Sequence, residues 1–216
     1  MTTPEARWAV VIPVKPAEVG KSRLDISGVD RVTLARAIAL DTVAAAAACA
    51  SVAQVFVVTD DGALVTLAFD IPALRFVPEG DAMGLDEAVA AGAAAAGDAM
   101  PRAALLGDLP ALRPEDLEAA LTAATDLDRA VVADAEGTGT TLVTAGSGIP
   151  FESSFGEGSF ARHVDLGCVP LAVADDSTLR RDVDTAGHLT EAALLGLGPR
   201  TAAAVLGKGR HPFRRA

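Results

Sequence analysis

Six short apolar runs, at residues 10–14, 55–58, 74–77, 103–106, 130–133 and 169–173, show no sustained alternation of apolar and polar residues. A strand with one face in water alternates, whereas a strand covered on both faces reads as a nearly continuous hydrophobic run. These runs are therefore expected as buried strands. Longer segments of helical character lie between and after them, at residues 31–49, 85–100, 186–195 and 199–206, with another opening at Pro114-Glu115-Asp116. Proline suits a first helical turn, and acidic residues suit the positive end of the helix dipole. Alanine dominates several of these segments, as at Ala44 to Ala48 and Ala93 to Ala96, and it favours helix.

Strand and helix alternate from residue 8 to about residue 125. That order implies an α/β fold with a mainly parallel sheet flanked by helices on both faces. A chain of 216 residues fits a single domain. Residues 137–158 break the pattern with closely spaced glycine, serine and threonine, and read as loops and short strands added to the main sheet. The basic tail, residues 207–216, is expected to be loosely held.

The net charge of −11 excludes a general binder of nucleic acid, because a phosphate backbone demands a basic surface. No apolar run reaches the ~18 residues of a membrane span, and the apolar stretch near the start is too short, and lacks the cationic flank, for a secretory signal. A cytoplasmic protein is expected, with Cys49 and Cys168 as buried free thiols.

Ligands of such sheets sit outside the carboxyl ends of the strands. The loop after the first strand carries Lys15, Lys21 and Arg23 within nine residues of an otherwise acidic chain. Cations and backbone N–H groups together suit a polyphosphate; a solvated turn is the plainer alternative. Gly20-Lys21-Ser22 invites comparison with a P-loop, but the required glycine five positions earlier is Lys15. A second constellation is Gly107-Asp108-Leu109-Pro110, where a buried strand delivers Asp108 to the sheet rim. A carboxylate there suits Mg²⁺, although a turn aspartate reads the same way. In Asp182-Val183-Asp184-Thr185 an extended backbone puts both carboxylates on one face, and Asp184 or Thr185 can cap the helix that follows. The runs Gly137-Thr138-Gly139-Thr140 and Phe155-Gly156-Glu157-Gly158-Ser159 offer N–H and O–H donors suited to phosphate or carboxylate. His163, His188 and His211 are scattered, so no zinc site is expected.

In order and spacing, these segments resemble the phosphoenolpyruvate or 2-phospho-L-lactate guanylyltransferases of deazaflavin coenzyme F-420 biosynthesis, across nearly the whole chain. The resemblance implies a Rossmann-like nucleotidyltransferase fold of the nucleotide-diphospho-sugar transferase type, shared with molybdenum-cofactor guanylyltransferase. It implies GTP as donor, Mg²⁺ as cofactor, and a product passed to a downstream deazaflavin transferase. By position, Lys15, Lys21 and Arg23 would face the triphosphate. Asp108 with Asp182 or Asp184 would hold the metal. Pro13, Val14, Leu85, Asp86 and Gly107 would meet the nucleotide. Thr140, Gly156 and Ser159 would receive the acceptor, in an inserted region at about residues 134–168. The family often carries Leu-Asn where this chain has Leu85-Asp86; an aspartate can accept from the N–H edge of guanine but cannot donate as asparagine does. A P-loop kinase, a GTP sensor and a nucleotidyltransferase with another acceptor are the competing readings.

Overall fold

The computed structural model describes residues 7–17, 24, 26–81 and 84–207. Lys21 and Arg23 lie outside the described residues, as does most of the basic tail.

Among the described residues seven strands, numbered along the chain, form one sheet in the order β3-β2-β1-β4-β6-β5-β7. They are β1 (Trp8–Pro13), β2 (Val52–Val58), β3 (Leu74–Val77), β4 (Arg102–Leu105), β5 (Arg129–Ala133), β6 (Thr140–Ala145) and β7 (Val169–Pro170). All run parallel except β6, which is antiparallel to both β4 and β5. The expected mainly parallel α/β sheet is thus present, but the two edge strands are not buried as expected: β3 is half-buried to exposed, and β7, only two residues of the run 169–173, is exposed, because an edge strand has a neighbour on one side alone. The segment expected as added loops and short strands instead supplies β6, a buried six-residue strand inside the sheet. Three threonines disguised it. They are β-branched and suit a strand; the Thr144 hydroxyl accepts from the Ala130 N–H at 3.1 Å, and that of Thr140 meets His163 Nδ1 at 3.0 Å.

Among the described residues seven α-helices cover the sheet: α1 (Arg31–Ala48), α2 (Gly62–Leu67), α3 (Leu85–Ala96), α4 (Pro114–Ala123), α5 (Ser159–Asp165), α6 (Ala186–Leu195) and α7 (Pro199–Leu206). Sequence patterning anticipated all but α2 and α5. Helix α2 forms because Asp61 accepts from the N–H groups of Ala63 and Leu64 and so caps it. Among the described residues, no helix is long and apolar enough to cross a membrane. Both cysteines are buried free thiols, as expected.

Alternate residues of β1 divide the core. Trp8, Val10 and Ile12 pack with α1 and α4, whereas Ala9 and Val11 face α3. Helix α3 lies so close that a Cβ on Gly92 would stand 2.3 Å from Val11 Cγ1. On the other side α1 is buried twice over, against the sheet and, through Leu34 and Ile38, against the C-terminal helices. Asp41, buried in the middle of α1, accepts from the N–H groups of Arg200 (3.2 Å) and Thr201 (2.7 Å) and so caps α7. This C-terminal layer brings residues 182–184 back to the end of β4.

Candidate functional site

The register aligns Pro13 with Val58 and Val58 with Val77, so the loops after β1, β2 and β3 open on one edge. The sheet order reverses direction between β1 and β4, and a crevice opens there. Pro13, Val14, Lys15, Leu85, Gly107, Asp108 and Asp184 all line it. Seven residues singled out from sequence therefore share one cleft. Gly107 permits the close approach of the two loops, since a Cβ there would sit 3.0 Å from the Pro13 carbonyl oxygen.

Arg36 and Asp61 also line the cleft, and sequence reasoning missed both. The Arg36 guanidinium grips both Asp61 carboxylate oxygens, at 2.8 and 3.0 Å. The same carboxylate receives the Ala17 N–H at 3.4 Å. The start of the basic loop is thereby tied to the end of β2. Burial works against an ionised Asp61, yet the Arg36 guanidinium and three backbone N–H groups hold its carboxyl below the usual range. The only early signal was Asp61 following a strand.

The carboxylates converge at the next step. The Val183 N–H donates to the Asp108 carbonyl at 2.9 Å, which fastens residues 182–184 beside the end of β4. Val183 is buried and Asp184 exposed, and Thr185, not Asp184, caps α6 by accepting from the His188 N–H. Burial, then the charges of Asp108, Asp184 and Asp134, push the Asp182 carboxyl up to about 7. Crowded acids relieve such strain by taking a proton or a cation. Asp134 and Glu136, absent from the expected set, approach Asp182 with ligand oxygens within 4.8 Å of one another. The Asp134 carboxylate also accepts from the N–H groups of Thr138 (3.0 Å) and Gly139 (2.8 Å), forming the turn into β6. Asp182 therefore stands between the cleft and the second half of the site.

That second half contains Thr140, Gly156 and Ser159, which lie 16 and 19 residues from Thr140 in sequence and belong to three different elements. Thr140 opens β6, Ser159 opens α5, and Gly156 turns between them at φ +107°, in the region that favours glycine. Thr140 and Ser159 are buried. The Arg162 side chain braces the loop by donating to the carbonyls of Ser154, Phe155 and Glu157. Asp86 anchors it from below: its Oδ1 accepts from the Ser153 hydroxyl (2.7 Å) and the Phe155 N–H (3.0 Å). Leu85 thus faces the cleft, while Asp86 is engaged by the loop that carries Gly156.

Known proteins resemble this chain in sequence and in fold. The family model described as Guanylyl transferase CofC like matches residues 8–206. The phosphoenolpyruvate guanylyltransferase of Thermomonospora curvata is 50% identical over 205 residues, spanning 92% of this chain and 89% of that relative. That of Salinispora arenicola is also 50% identical, over 199 residues, spanning 90% and 92%. Among solved structures, a nucleotidyl transferase from Methanothermobacter thermautotrophicus superposes with a TM-score of 0.57 at 19% identity, covering 88% of this chain and 97% of the other. The 4-diphosphocytidyl-2C-methyl-D-erythritol synthase of Anaerococcus prevotii gives 0.58 at 12%, covering 88% and 96%. At these identities the structures speak for the fold, which is that of the nucleotide-diphospho-sugar transferase-like nucleotidyltransferases.

Proposed function

The chain belongs to the CofC-like guanylyl transferase family, and from that premise we propose that it transfers GMP from GTP to phosphoenolpyruvate in the assembly of deazaflavin coenzyme F-420. The family match and the names of relatives at 50% identity support the reaction. The observation that supports the assignment of residues is the Val183–Asp108 backbone bond, which fastens the two carboxylate segments side by side at the cleft.

An acceptor phosphate, with a second pKa near ~6, is mostly a dianion at neutral pH. One of its oxygens forms a bond to the α-phosphorus of GTP, and the bond from that phosphorus to the β-phosphate bridge breaks, releasing pyrophosphate. No proton has to be removed from the nucleophile. His163 fits this economy: burial holds its pKa below the usual value, and both ring nitrogens are already engaged, so it offers no general base.

The obstacle is repulsion between two polyanions, about 4 kcal/mol per unit pair at 4 Å and an effective dielectric of 20. Lys15 faces the cleft and offsets part of it; Lys21 and Arg23 are assigned the same task from their place in the sequence. Asp108, Asp182 and Asp184 are assigned to Mg²⁺, which prefers oxygen donors, and the crowding of acids that raises the Asp182 pKa supports a cation there. When bound, Mg²⁺ would neutralise phosphate charge and stabilise the leaving pyrophosphate. Thr140, Gly156 and Ser159 hold the acceptor in line with the α-phosphorus.

The decisive assay measures pyrophosphate release from GTP and Mg²⁺ with phosphoenolpyruvate, with 2-phospho-L-lactate, and with neither. The downstream deazaflavin transferase is included, because an unstable product would otherwise mask turnover. Pyrophosphate that depends on phosphoenolpyruvate is the expected result. Release only with 2-phospho-L-lactate would reassign the acceptor. GTP binding without turnover on either would turn the reading toward a sensor.

A further inference from the structure

We propose that His163, held as its neutral Nδ1–H tautomer, is a positioning residue that fixes the Thr140 hydroxyl as a hydrogen-bond donor toward an anionic oxygen of the acceptor. The inference rests on the acceptor site assigned above and adds to it a residue and a direction.

The argument begins at Ser154. Its backbone N–H can only donate, and it lies 2.9 Å from His163 Nε2. That nitrogen must therefore present a lone pair. A neutral imidazole carries one ring hydrogen, so the hydrogen is on Nδ1. Nδ1 lies 3.0 Å from Thr140 Oγ1. The hydroxyl consequently accepts from the histidine and keeps its own hydrogen to give elsewhere. Among the described residues no acceptor takes it, and Thr140 is 3% exposed. A buried donor of this kind calls for a partner, and a phosphate or carboxylate oxygen supplies one. With the opposite tautomer the hydroxyl would spend its hydrogen on the ring.

The surroundings keep the ring neutral. His163 is fully buried, and burial disfavours the imidazolium, as does the nearby Arg162; Asp86 pulls the other way. A charged ring would also aim Nε2–H at the Ser154 N–H. The edge of the Phe155 ring, at 5.1 Å and 72°, limits its rotation. Ser159 sits one helical turn earlier on the same face of α5. One side chain therefore couples β6, the Ser154–Gly156 loop and α5, the three elements that carry the acceptor residues.

Two near-isosteric variants separate positioning from packing. In His163→Asn the amide nitrogen falls near Nδ1 and still donates to Thr140. In His163→Gln the amide oxygen reaches near Nε2 and keeps only the Ser154 bond. The expected KM for phosphoenolpyruvate rises ~10-fold or more in the Gln variant, the scale of one hydrogen bond to an anion. In the Asn variant it stays within ~3-fold, and the KM for GTP is unchanged in both. Adding Thr140→Val to the Gln variant should cost little more, since the two changes remove one interaction. Equal losses in the two variants, or losses that fall on GTP, would overturn the inference. Should the variants unfold, ¹⁵N NMR of the wild-type imidazole decides: protonated Nδ1 is expected, and protonated Nε2 overturns it. A wild-type chain that releases no pyrophosphate with either acceptor would remove the activity reading alone. Binding of inorganic phosphate, kept in Asn and weakened in Gln, would then uphold the inference, and equal binding would end it.

Discussion

Replacing Asp182 by Asn should stabilise the metal-free protein at pH 8 while abolishing turnover. The ordinary carboxyl pKa is 3.8, and in the fold Asp182 is held at about 7. Between those values the folded chain keeps a proton that the unfolded chain has lost, so stability falls as pH rises through the window and is level above it. At about 1.36 kcal/mol per tenfold change, the ionised carboxylate costs on the order of 4 kcal/mol at pH 8. At pH 5.5 about half of that penalty is relieved. Asn imitates the protonated acid in shape and carries no charge, so the variant should recover roughly 2–4 kcal/mol, taking the figure above as a ceiling because Asp108 and Asp184 share the repulsion. For a chain of this size that corresponds to a rise in Tm of roughly 5–15 °C. The assay is thermal unfolding by circular dichroism in EDTA, at pH 8 and pH 5.5, with wild type and variant side by side. The gap should shrink at the lower pH. Added Mg²⁺ should raise the Tm of wild type more than that of the variant, because a cation bound only by the folded state stabilises it. A variant no more stable than wild type at pH 8, or a gap of equal size at both pH values, would refute the electrostatic reasoning.

Asp108→Ala should abolish pyrophosphate release with the circular dichroism spectrum unchanged; wild-type activity in that variant would remove Asp108 from the mechanism. Asp41→Ala strips the buried Thr201 N–H and the half-buried Arg200 N–H of their acceptor, so it should destabilise by about 2–3 kcal/mol in a urea melt. A loss under ~0.5 kcal/mol would show that α7 does not depend on this cap. Gly92→Ala forces a methyl against Val11 and Val58, so a loss of about 1–3 kcal/mol is expected from the same melt, and an unchanged midpoint would mean that α3 can lift away freely.

Much of the candidate site was legible because charge and strand-end position are local marks. Lys15 stood out against an acidic chain, and Asp108 sat at a strand end before a proline. Gly107 stands beside Asp108 in the same short run, and the fold places it against the Pro13 carbonyl. What stayed hidden depended on partners far away in sequence. Arg36 is an ordinary helix residue until Asp61 meets it, 25 positions on. Asp134 and Glu136 look like any acidic turn until the C-terminal segment brings Asp182 beside them. His163 was one of three scattered histidines, and its importance comes only from the two bonds that fix its tautomer.

The amino-acid sequence by itself determined the α/β alternation and the mainly parallel sheet, because hydrophobic periodicity is a local property. Tertiary structure decided the rest. It placed β6 inside the sheet, where buried threonines pair rather than loop, and it docked α7 on Asp41. It also crowded acids from three segments around Asp182. Those outcomes depend on burial and on charge at close range, which exist only once distant parts of the chain have been packed together.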